Sequence, residues 1–292
     1  MSSTTTPAST PAIVGVAQLR ATNDKVHNLL EIAKVAGWAK QKKASMLFLP
    51  ENCGFMGEAP GETLENAEAP VGEEVENSSL LTRKIETMYK RAYSGDLLEG
   101  EETACELSGT QARISLLNGL RTLARASKMW ISVGGMHVLG APPHPETGKA
   151  RFYNTHVILD DMGIVQAIYR KIHLFDVSIP GKVNLMESNS TAAGKDIVVC
   201  DSPVGKLIDF FSYANINVRD ICVMVFEPDI LTSTICYSGR LGISTCYDMR
   251  FPEQYAEMTK KGAQILLMPS AFTVPTGQAH WHILLRGKSI NT

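Results

Sequence analysis

The chain has 292 residues, of which 44% are hydrophobic and 20% are charged. This length and composition predict a globular protein with one large core or two smaller ones. The formal net charge of -2, without a long basic run, disfavours nucleic acid and anionic membranes as partners. We therefore expect a small molecule as the ligand.

The cysteines and the first residues indicate a reducing compartment. The six cysteines are dispersed without a Cys-x-x-Cys pair: Cys53, Cys105, Cys200, Cys222, Cys236 and Cys246. Their spacings match neither a disulfide framework nor a zinc site. Residues 1–11 lack both an apolar segment and an arginine, which predicts a disordered leader rather than a signal or transit peptide. We expect a cytoplasmic protein without a metal ion, and the leader does not support a mitochondrial form.

The first elements place a glutamate at the end of a buried strand. Residues 12–18 and 46–49 are apolar runs typical of buried strands, and apolar residues recur at helical spacing between them, after Asn23-Asp24. The second run ends in Pro50-Glu51. Taken alone, Glu51 fits a helix cap or a solvated loop acid as well as it fits a functional carboxylate.

The middle of the chain places a lysine in the same way. After a poorly packed, partly helical insertion predicted within 77–116, a helix is expected over 116–127, a strand over 130–137 and a hairpin over 153–169. The last strand of this hairpin runs directly into Lys171. Lysine is rarely placed beside a core without an anionic partner, although an ordinary surface position is the simpler alternative.

The third such residue is Cys246, at the end of the apolar strand that begins near Gly242. A helix follows from Pro252 to about Lys260, then a strand over 264–268 and a helix from about residue 279. A helix start beside a thiol favours the thiolate, whereas the alternative is a cysteine that only packs in the core.

Glu51, Lys171 and Cys246 share one position, just after a buried strand. Alternating strands and helices with hairpins predict an α/β fold with mixed sheets, and ligands bind at strand ends in such folds. Together the three residues supply a base, a cation and a nucleophile. The backbone N–H of Tyr247 is the candidate oxyanion donor, and no histidine is required.

Three motifs resemble those of the nitrilase superfamily of carbon-nitrogen hydrolases, in its Nit branch. They are Leu49-Pro50-Glu51, Tyr169-Arg170-Lys171-Ile172-His173-Leu174 and Cys246-Tyr247-Asp248-Met249-Arg250-Phe251. The resemblance implies a four-layer α-β-β-α sandwich, no metal or organic cofactor, a homo-oligomer in complete relatives, and amide hydrolysis through a thioester acyl-enzyme.

The resemblance also implies roles for individual residues. It makes Glu51 the general base, Lys171 the electrostatic stabiliser and Cys246 the nucleophile. The family has a second glutamate before a Tyr-Asn pair, which corresponds here to Glu146 before Tyr153-Asn154.

Within the branch, two segments resemble deaminated glutathione amidase more than omega-amidase: Glu187-Ser188-Asn189-Ser190-Thr191 and Pro269-Ser270-Ala271-Phe272. The implied reaction releases 2-oxoglutarate and Cys-Gly. One alternative is an omega-amidase acting on 2-oxoglutaramate or 2-oxosuccinamate. Another is a catalytically silent member that binds through the same pocket or acts through its oligomer surface.

The chain also departs from the family pattern. We expect one hydrolase domain over 12–292, incomplete at its C-terminus, with insertions at 77–116 and 206–239. The second insertion interrupts what is a tight hairpin in relatives, between Gly205 and Arg240. Because missing strands leave a sheet edge unpaired, we expect the chain as written to be aggregation-prone and at most weakly active.

Overall fold

A computed structural model describes residues 12–59, 61–97, 114–179, 181, 183–204 and 239–291. The helices are α1 (Lys25–Gln41), α2 (Glu62–Glu65), α3 (Ser79–Ser94), α4 (Leu116–Ser127), α5 (Pro252–Lys260) and α6 (Val274–Asn291). The strands are β1 (Val14–Val16), β2 (Met46–Phe48), β3 (Trp130–Ser132), β4 (Met136–Val138), β5 (Tyr153–Leu159), β6 (Val165–Arg170), β7 (Asp176–Ile179), β8 (Val183–Met186), β9 (Val198–Ser202), β10 (Gly239–Ile243) and β11 (Ile265–Leu267).

The sheets are mixed, as predicted. The larger sheet has the order β1-β2-β3-β5-β4, and β6 is its sixth strand, paired with β5. Strands β1, β2 and β3 are parallel, whereas β5 is antiparallel to β3, β4 and β6. In the second sheet, β10 is parallel to β11 and antiparallel to β9. Strands β7 and β8 form a separate antiparallel hairpin.

Three apolar clusters arrange these elements in four layers. Leu29, Ile85 and Leu117 belong to the first cluster, which packs α1, α3 and α4 on the outer face of the larger sheet. Side chains of both sheets, including Met46 and Ile243, form the second cluster between them. The third cluster packs α5 and α6 against the second sheet. This is the four-layer α-β-β-α sandwich that the family resemblance implies.

Local signals in the sequence explain several element ends. The Asp24 carboxylate accepts hydrogen bonds from the N–H groups of Val26 and His27, so it caps α1 as predicted. Helix α5 begins with Pro252 and ends at Lys260, also as predicted. Helix α6, however, begins at Val274, five residues before the predicted start, because Pro275 favours a first helical turn there.

The prediction of a poorly packed segment after residue 77 is wrong for α3. Leu81, Ile85, Tyr89 and Ala92 recur every three or four residues and are buried against the first cluster. This face makes α3 part of the outer helical layer. Residues 98–113 of the predicted insertion lie outside the described part of the chain, as do the leader and residues 206–238.

Two further expectations need correction. The predicted strand 130–137 is divided into β3 and β4, because Gly134 adopts a φ of +80°. A Cβ atom there would lie 2.3 Å from the carbonyl oxygen of Pro50, so only glycine fits this approach. The segment 181–194, whose Gly, Asn and Ser content is typical of a polar loop, contains β8 and a 3₁₀ turn at Glu187–Asn189.

The two sides of the predicted second insertion are paired with each other. Gly239, the first residue of β10, lies opposite Ser202, the last residue of β9. The chain therefore leaves the second sheet and returns to it at adjacent positions, and the hairpin pairing expected of the family is retained.

The close crossing of α1 and α3 predicts that Gly37→Ala destabilises the fold. A Cβ atom at Gly37 would lie 2.5 Å from the Ala92 Cβ and 2.6 Å from the Tyr89 carbonyl oxygen. Alanine normally stabilises a helix interior by about 1 kcal/mol relative to glycine, but overpacking here costs about 1 to 3 kcal/mol. We expect a lower thermal unfolding midpoint, measured by circular dichroism.

Gly277→Ala in α6 is the matched control, because its Cβ would meet only the Phe272 Cβ at 3.5 Å. This substitution is expected to leave the midpoint unchanged or to raise it. An unchanged midpoint in Gly37→Ala would contradict the packing described for α1 and α3.

Candidate active site

The ends of β2, β6 and β10 bring Glu51, Lys171 and Cys246 together. Glu51 follows β2 and forms a bridge with Gly135, while Lys171 directly follows β6 and donates its backbone N–H to Asn154. The Lys171 Nζ lies 3.4 Å from Glu51 Oε1, and the Cys246 thiol interacts with both of these charged groups. The three residues that the sequence places at strand ends therefore lie close together in the structure.

The Glu51 carboxylate is buried and held by three donors. Its Oε1 accepts from Asn154 Nδ2 at 2.8 Å and from Lys171 Nζ, and its Oε2 accepts from the Ala271 N–H at 2.9 Å. Asn154 lies on β5, and Ala271 follows β11. Both sheets therefore fix the orientation of this carboxylate, which is what a general base needs.

Lys171 contacts a second glutamate that the sequence analysis missed. Its Nζ lies 2.9 and 3.0 Å from the two carboxylate oxygens of Glu187, and the Phe175 N–H donates to the same carboxylate at 2.6 Å. Glu187 directly follows β8, so it too sits at a strand end. Strand β8 has only four residues and is followed by Glu187-Ser188-Asn189-Ser190, a composition typical of a polar loop, which concealed the strand end.

Glu146, the predicted second glutamate, lies elsewhere. It is exposed in a turn where its N–H contacts His144 Nδ1 at 3.3 Å. The spacing between Glu146 and Tyr153-Asn154 in the sequence does not bring Glu146 to Lys171. Glu187, which follows Met186 at the end of β8, is the second glutamate in contact with that lysine.

Charges around the site determine the protonation of Cys246. Burial raises the pKa of its thiol, and the negative charge of Glu51 raises it further, against the opposing effect of Lys171. The sequence had predicted that the nearby helix start favours the thiolate. Desolvation and the neighbouring carboxylate are the larger effects, so the thiol is protonated at rest.

Lys171 stays charged for the converse reason. Burial by itself lowers the pKa of this lysine, but the charges of Glu51 and Glu187 raise it above the ordinary value. The site therefore contains a permanent cation that is fully buried between two carboxylates.

Cys246 occupies a tightly held turn. Its φ of +49° lies in the left-handed region, which costs a non-glycine residue about 1 to 2 kcal/mol. A capping box between Thr245 and Asp248 holds the turn, and the Cys246 N–H donates to the Pro269 carbonyl at 2.8 Å. Tyr247 follows in the first turn of the 3₁₀ segment Cys246–Arg250, and its oxyanion role stays a prediction.

His156 lies beneath this turn and connects the two sheets. Its Nε2 is 2.7 Å from Ser132 Oγ in the larger sheet, and its Nδ1 is 3.2 Å from the carbonyl oxygen of Ser244, two residues before Cys246. Burial lowers the pKa of His156 to about 4. The ring is therefore neutral at physiological pH.

Neither a metal-binding cluster nor a membrane-spanning helix occurs among the described residues. Residues 12–59, 61–97, 114–179, 181, 183–204 and 239–291 contain no cluster of three or more His, Cys, Asp or Glu side chains suited to a metal ion. In the same part of the chain, every helix is too short or too polar to cross a membrane. Cys105, Cys222 and Cys236 lie outside it.

Comparison with known proteins identifies the family. Residues 99–292 match the family model described as carbon-nitrogen hydrolase. The chain belongs to the carbon-nitrogen hydrolase family. It is 31% identical over 281 residues to the nitrilase and fragile histidine triad fusion protein NitFhit of Drosophila melanogaster. The aligned region covers 96% of this chain and 43% of that protein. These matches confirm the predicted Nit branch of the nitrilase superfamily.

Two further similarities agree with this. The chain is 32% identical over 282 residues to the deaminated glutathione amidase of Dictyostelium discoideum, covering 95% of this chain and 69% of that protein. The crystal structure of the C. elegans NitFhit protein superposes with a TM-score of 0.58 at 30% identity, over 97% of this chain and 49% of that chain. This carbon-nitrogen hydrolase thus spans less than half the length of the fusion proteins it matches.

Because His156 is neutral in the fold, we expect the free energy of unfolding to decrease in acid. Its pKa is 6.5 when unfolded and about 4 when folded, so between these pH values the unfolded chain binds more protons. Stability is therefore fully present above pH 6.5 and is lost as the pH falls toward 4, by up to about 3 kcal/mol from this group. We expect His156→Gln to have a shallower dependence of unfolding free energy on pH.

His144→Gln, in the loop that carries Glu146, provides the control and should keep the parent's pH dependence. His137 is partly buried, and desolvation lowers its pKa to about 4, so some pH dependence remains in both variants. Identical slopes for His156→Gln and the parent would show that His156 is not held neutral in the fold.

Proposed function

We propose that this chain carries the active site of a cysteine-dependent amidase whose substrate is deaminated glutathione. The observation that supports the amidase chemistry is the convergence of Cys246, Glu51 and Lys171 at adjoining strand ends. Family membership and the relatives named deaminated glutathione amidase support the substrate.

The first half-reaction forms a thioester. The Cys246 sulfur attacks the amide carbonyl carbon while Glu51 takes the thiol proton, because the thiol is protonated at rest. Lys171 and the Tyr247 N–H stabilise the oxyanion of the tetrahedral intermediate. Glu51 then passes its proton to the leaving nitrogen as the carbon–nitrogen bond breaks. With deaminated glutathione, the leaving amine is Cys-Gly.

The second half-reaction hydrolyses the thioester. Glu51 takes a proton from water, whose oxygen adds to the thioester carbonyl carbon. The carbon–sulfur bond breaks as this intermediate collapses, and Glu51 returns the proton to the Cys246 sulfur. The acid released is 2-oxoglutarate. Throughout the cycle, Glu187 keeps the Lys171 ammonium charged and in place.

Arg250 supports a substrate that carries a carboxylate. Its side chain is exposed, four residues after Cys246, and its guanidinium lies 5.6 Å from the centre of the Tyr247 ring. Within the described part of the chain it forms no salt bridge. A planar guanidinium binds a carboxylate through two parallel hydrogen bonds, and deaminated glutathione carries carboxylates at both ends.

Replacing the nucleophile tests the mechanism. Cys246→Ala should abolish turnover of deaminated glutathione, measured as release of Cys-Gly, because an alanine side chain cannot form the thioester. Cys200→Ala removes another buried thiol and should retain activity. Turnover that survives in Cys246→Ala would contradict the mechanism.

The same assay tests the substrate. Faster turnover of 2-oxoglutaramate than of deaminated glutathione, followed as ammonia release, would identify an omega-amidase instead. A parent chain that is folded but turns over neither substrate, with Cys246 no more reactive toward iodoacetamide than Cys200, would support the catalytically silent alternative.

Arg250→Gln is predicted to weaken substrate binding more than chemistry. A hydrogen bond to a charged group contributes about 1.5 to 3 kcal/mol, so we expect KM to rise by about 10-fold or more, with kcat changed much less. Arg125→Gln removes an exposed arginine from the end of α4 and should leave both constants unchanged. An unchanged KM in Arg250→Gln would exclude this arginine as the carboxylate-binding group.

A further inference from the structure

Asp248 is a buried carboxylate that the reaction as described does not use. Its side chain is fully buried, two residues after Cys246. Among the described residues, Asp248 has no lysine or arginine partner, and its one salt-bridge partner is His173. A carboxylate is costly to bury unless hydrogen bonds replace its hydration, so its surroundings must supply donors.

Four donors from the surrounding chain meet the two oxygens of Asp248. Oδ2 accepts from the Thr245 N–H at 2.8 Å and from the Tyr169 O–H at 2.5 Å. Oδ1 accepts from the His173 N–H at 3.0 Å, and the His173 ring Nδ1 lies 2.8 Å away from it. This ring also stacks on Phe251, at 3.6 Å between centroids.

The donors belong to the two segments that carry the catalytic groups. Thr245 immediately precedes Cys246, while Tyr169 and His173 lie two residues on either side of Lys171. One carboxylate therefore spans the short segment that presents the lysine and the turn that presents the thiol. Tyr169 is itself fixed, because its hydroxyl accepts from the Ile172 N–H at 3.2 Å and from Gln254 Nε2 at 2.9 Å.

We propose that Asp248 is a positioning residue that locks the Cys246 turn onto the Lys171 segment and so sets the distance between nucleophile and cation. The left-handed backbone of Cys246 needs such a lock, since a residue in that region persists only where its surroundings hold it. The effect on catalysis rests on the proposed amidase function. The effect on the reactivity of the thiol does not.

Asp248→Asn tests this role with little change of shape. The amide has one acceptor oxygen, so whichever way it turns, its NH₂ group faces backbone N–H donors from Thr245 or His173. Because small misplacements of a reacting group cost orders of magnitude in rate, we expect the alkylation rate of Cys246 by iodoacetamide to fall by at least about 10-fold. We expect kcat for deaminated glutathione to fall similarly, with KM within about 3-fold.

Two further variants complete the experiment. Tyr169→Phe removes one of the four donors, keeps the buried ring, and should lower both rates by less than Asp248→Asn. Asp160→Asn is the matched control: this buried carboxylate accepts from Met162 N–H, Ile164 N–H and Gln166 Nε2 at the far end of the β5–β6 hairpin. It should change the stability without changing either rate.

Alkylation is followed by mass spectrometry of the Cys246 peptide, in samples whose near-ultraviolet circular dichroism matches the parent. Unchanged alkylation in Asp248→Asn overturns the proposal, as does an equal decrease in Asp160→Asn. If Asp248→Asn does not fold, unchanged rates in Tyr169→Phe overturn it. A parent without amidase activity would refute the proposed function, while the alkylation comparison still decides the role of Asp248.

Discussion

The active site depends on the burial of one positive charge. Lys171 is 3% exposed, and a buried ammonium is stable only with anionic partners and hydrogen bonds. Glu51 and Glu187 provide them, so the site contains one cation and two anions before any thiolate forms. A third anion would be unfavourable, which explains why the thiol keeps its proton until a substrate carbonyl is available to share the charge.

The sequence predicted the candidate site where apolar or aromatic residues lead up to a polar one at the end of a strand. Strands β2, β6 and β10 have such residues near their ends, so Glu51, Lys171 and Cys246 stood out. Glu187 also follows a strand, but β8 has only four residues and pairs with β7 in a two-stranded hairpin, so its apolar signal is too short to identify it. Periodicity identifies strands buried on both faces far better than a two-stranded hairpin.

Contacts between distant segments account for what the sequence did not reveal. Asp248 was visible in its motif, but its contacts with Tyr169 and His173 cross more than seventy positions of the chain. The role of α3 was concealed similarly, because its charged surface dominates its composition while its apolar stripe matters only against α1. The four layers came from the family resemblance, since periodicity does not indicate which strands share a sheet.

The direction of β10 separates the connection from β9 and the candidate nucleophile. Its first residue, Gly239, pairs with Ser202 at one end of the strand, and Cys246 follows the other end. At about 3.3 Å per residue, the strand alone separates its two ends by about 13 Å. The connection between β9 and β10 therefore meets the sheet at the strand ends away from the thiol, where a change in its length disturbs the geometry around Cys246 least. It is equally the place where a reporter or an affinity tag could be inserted with the least disturbance of the nucleophile.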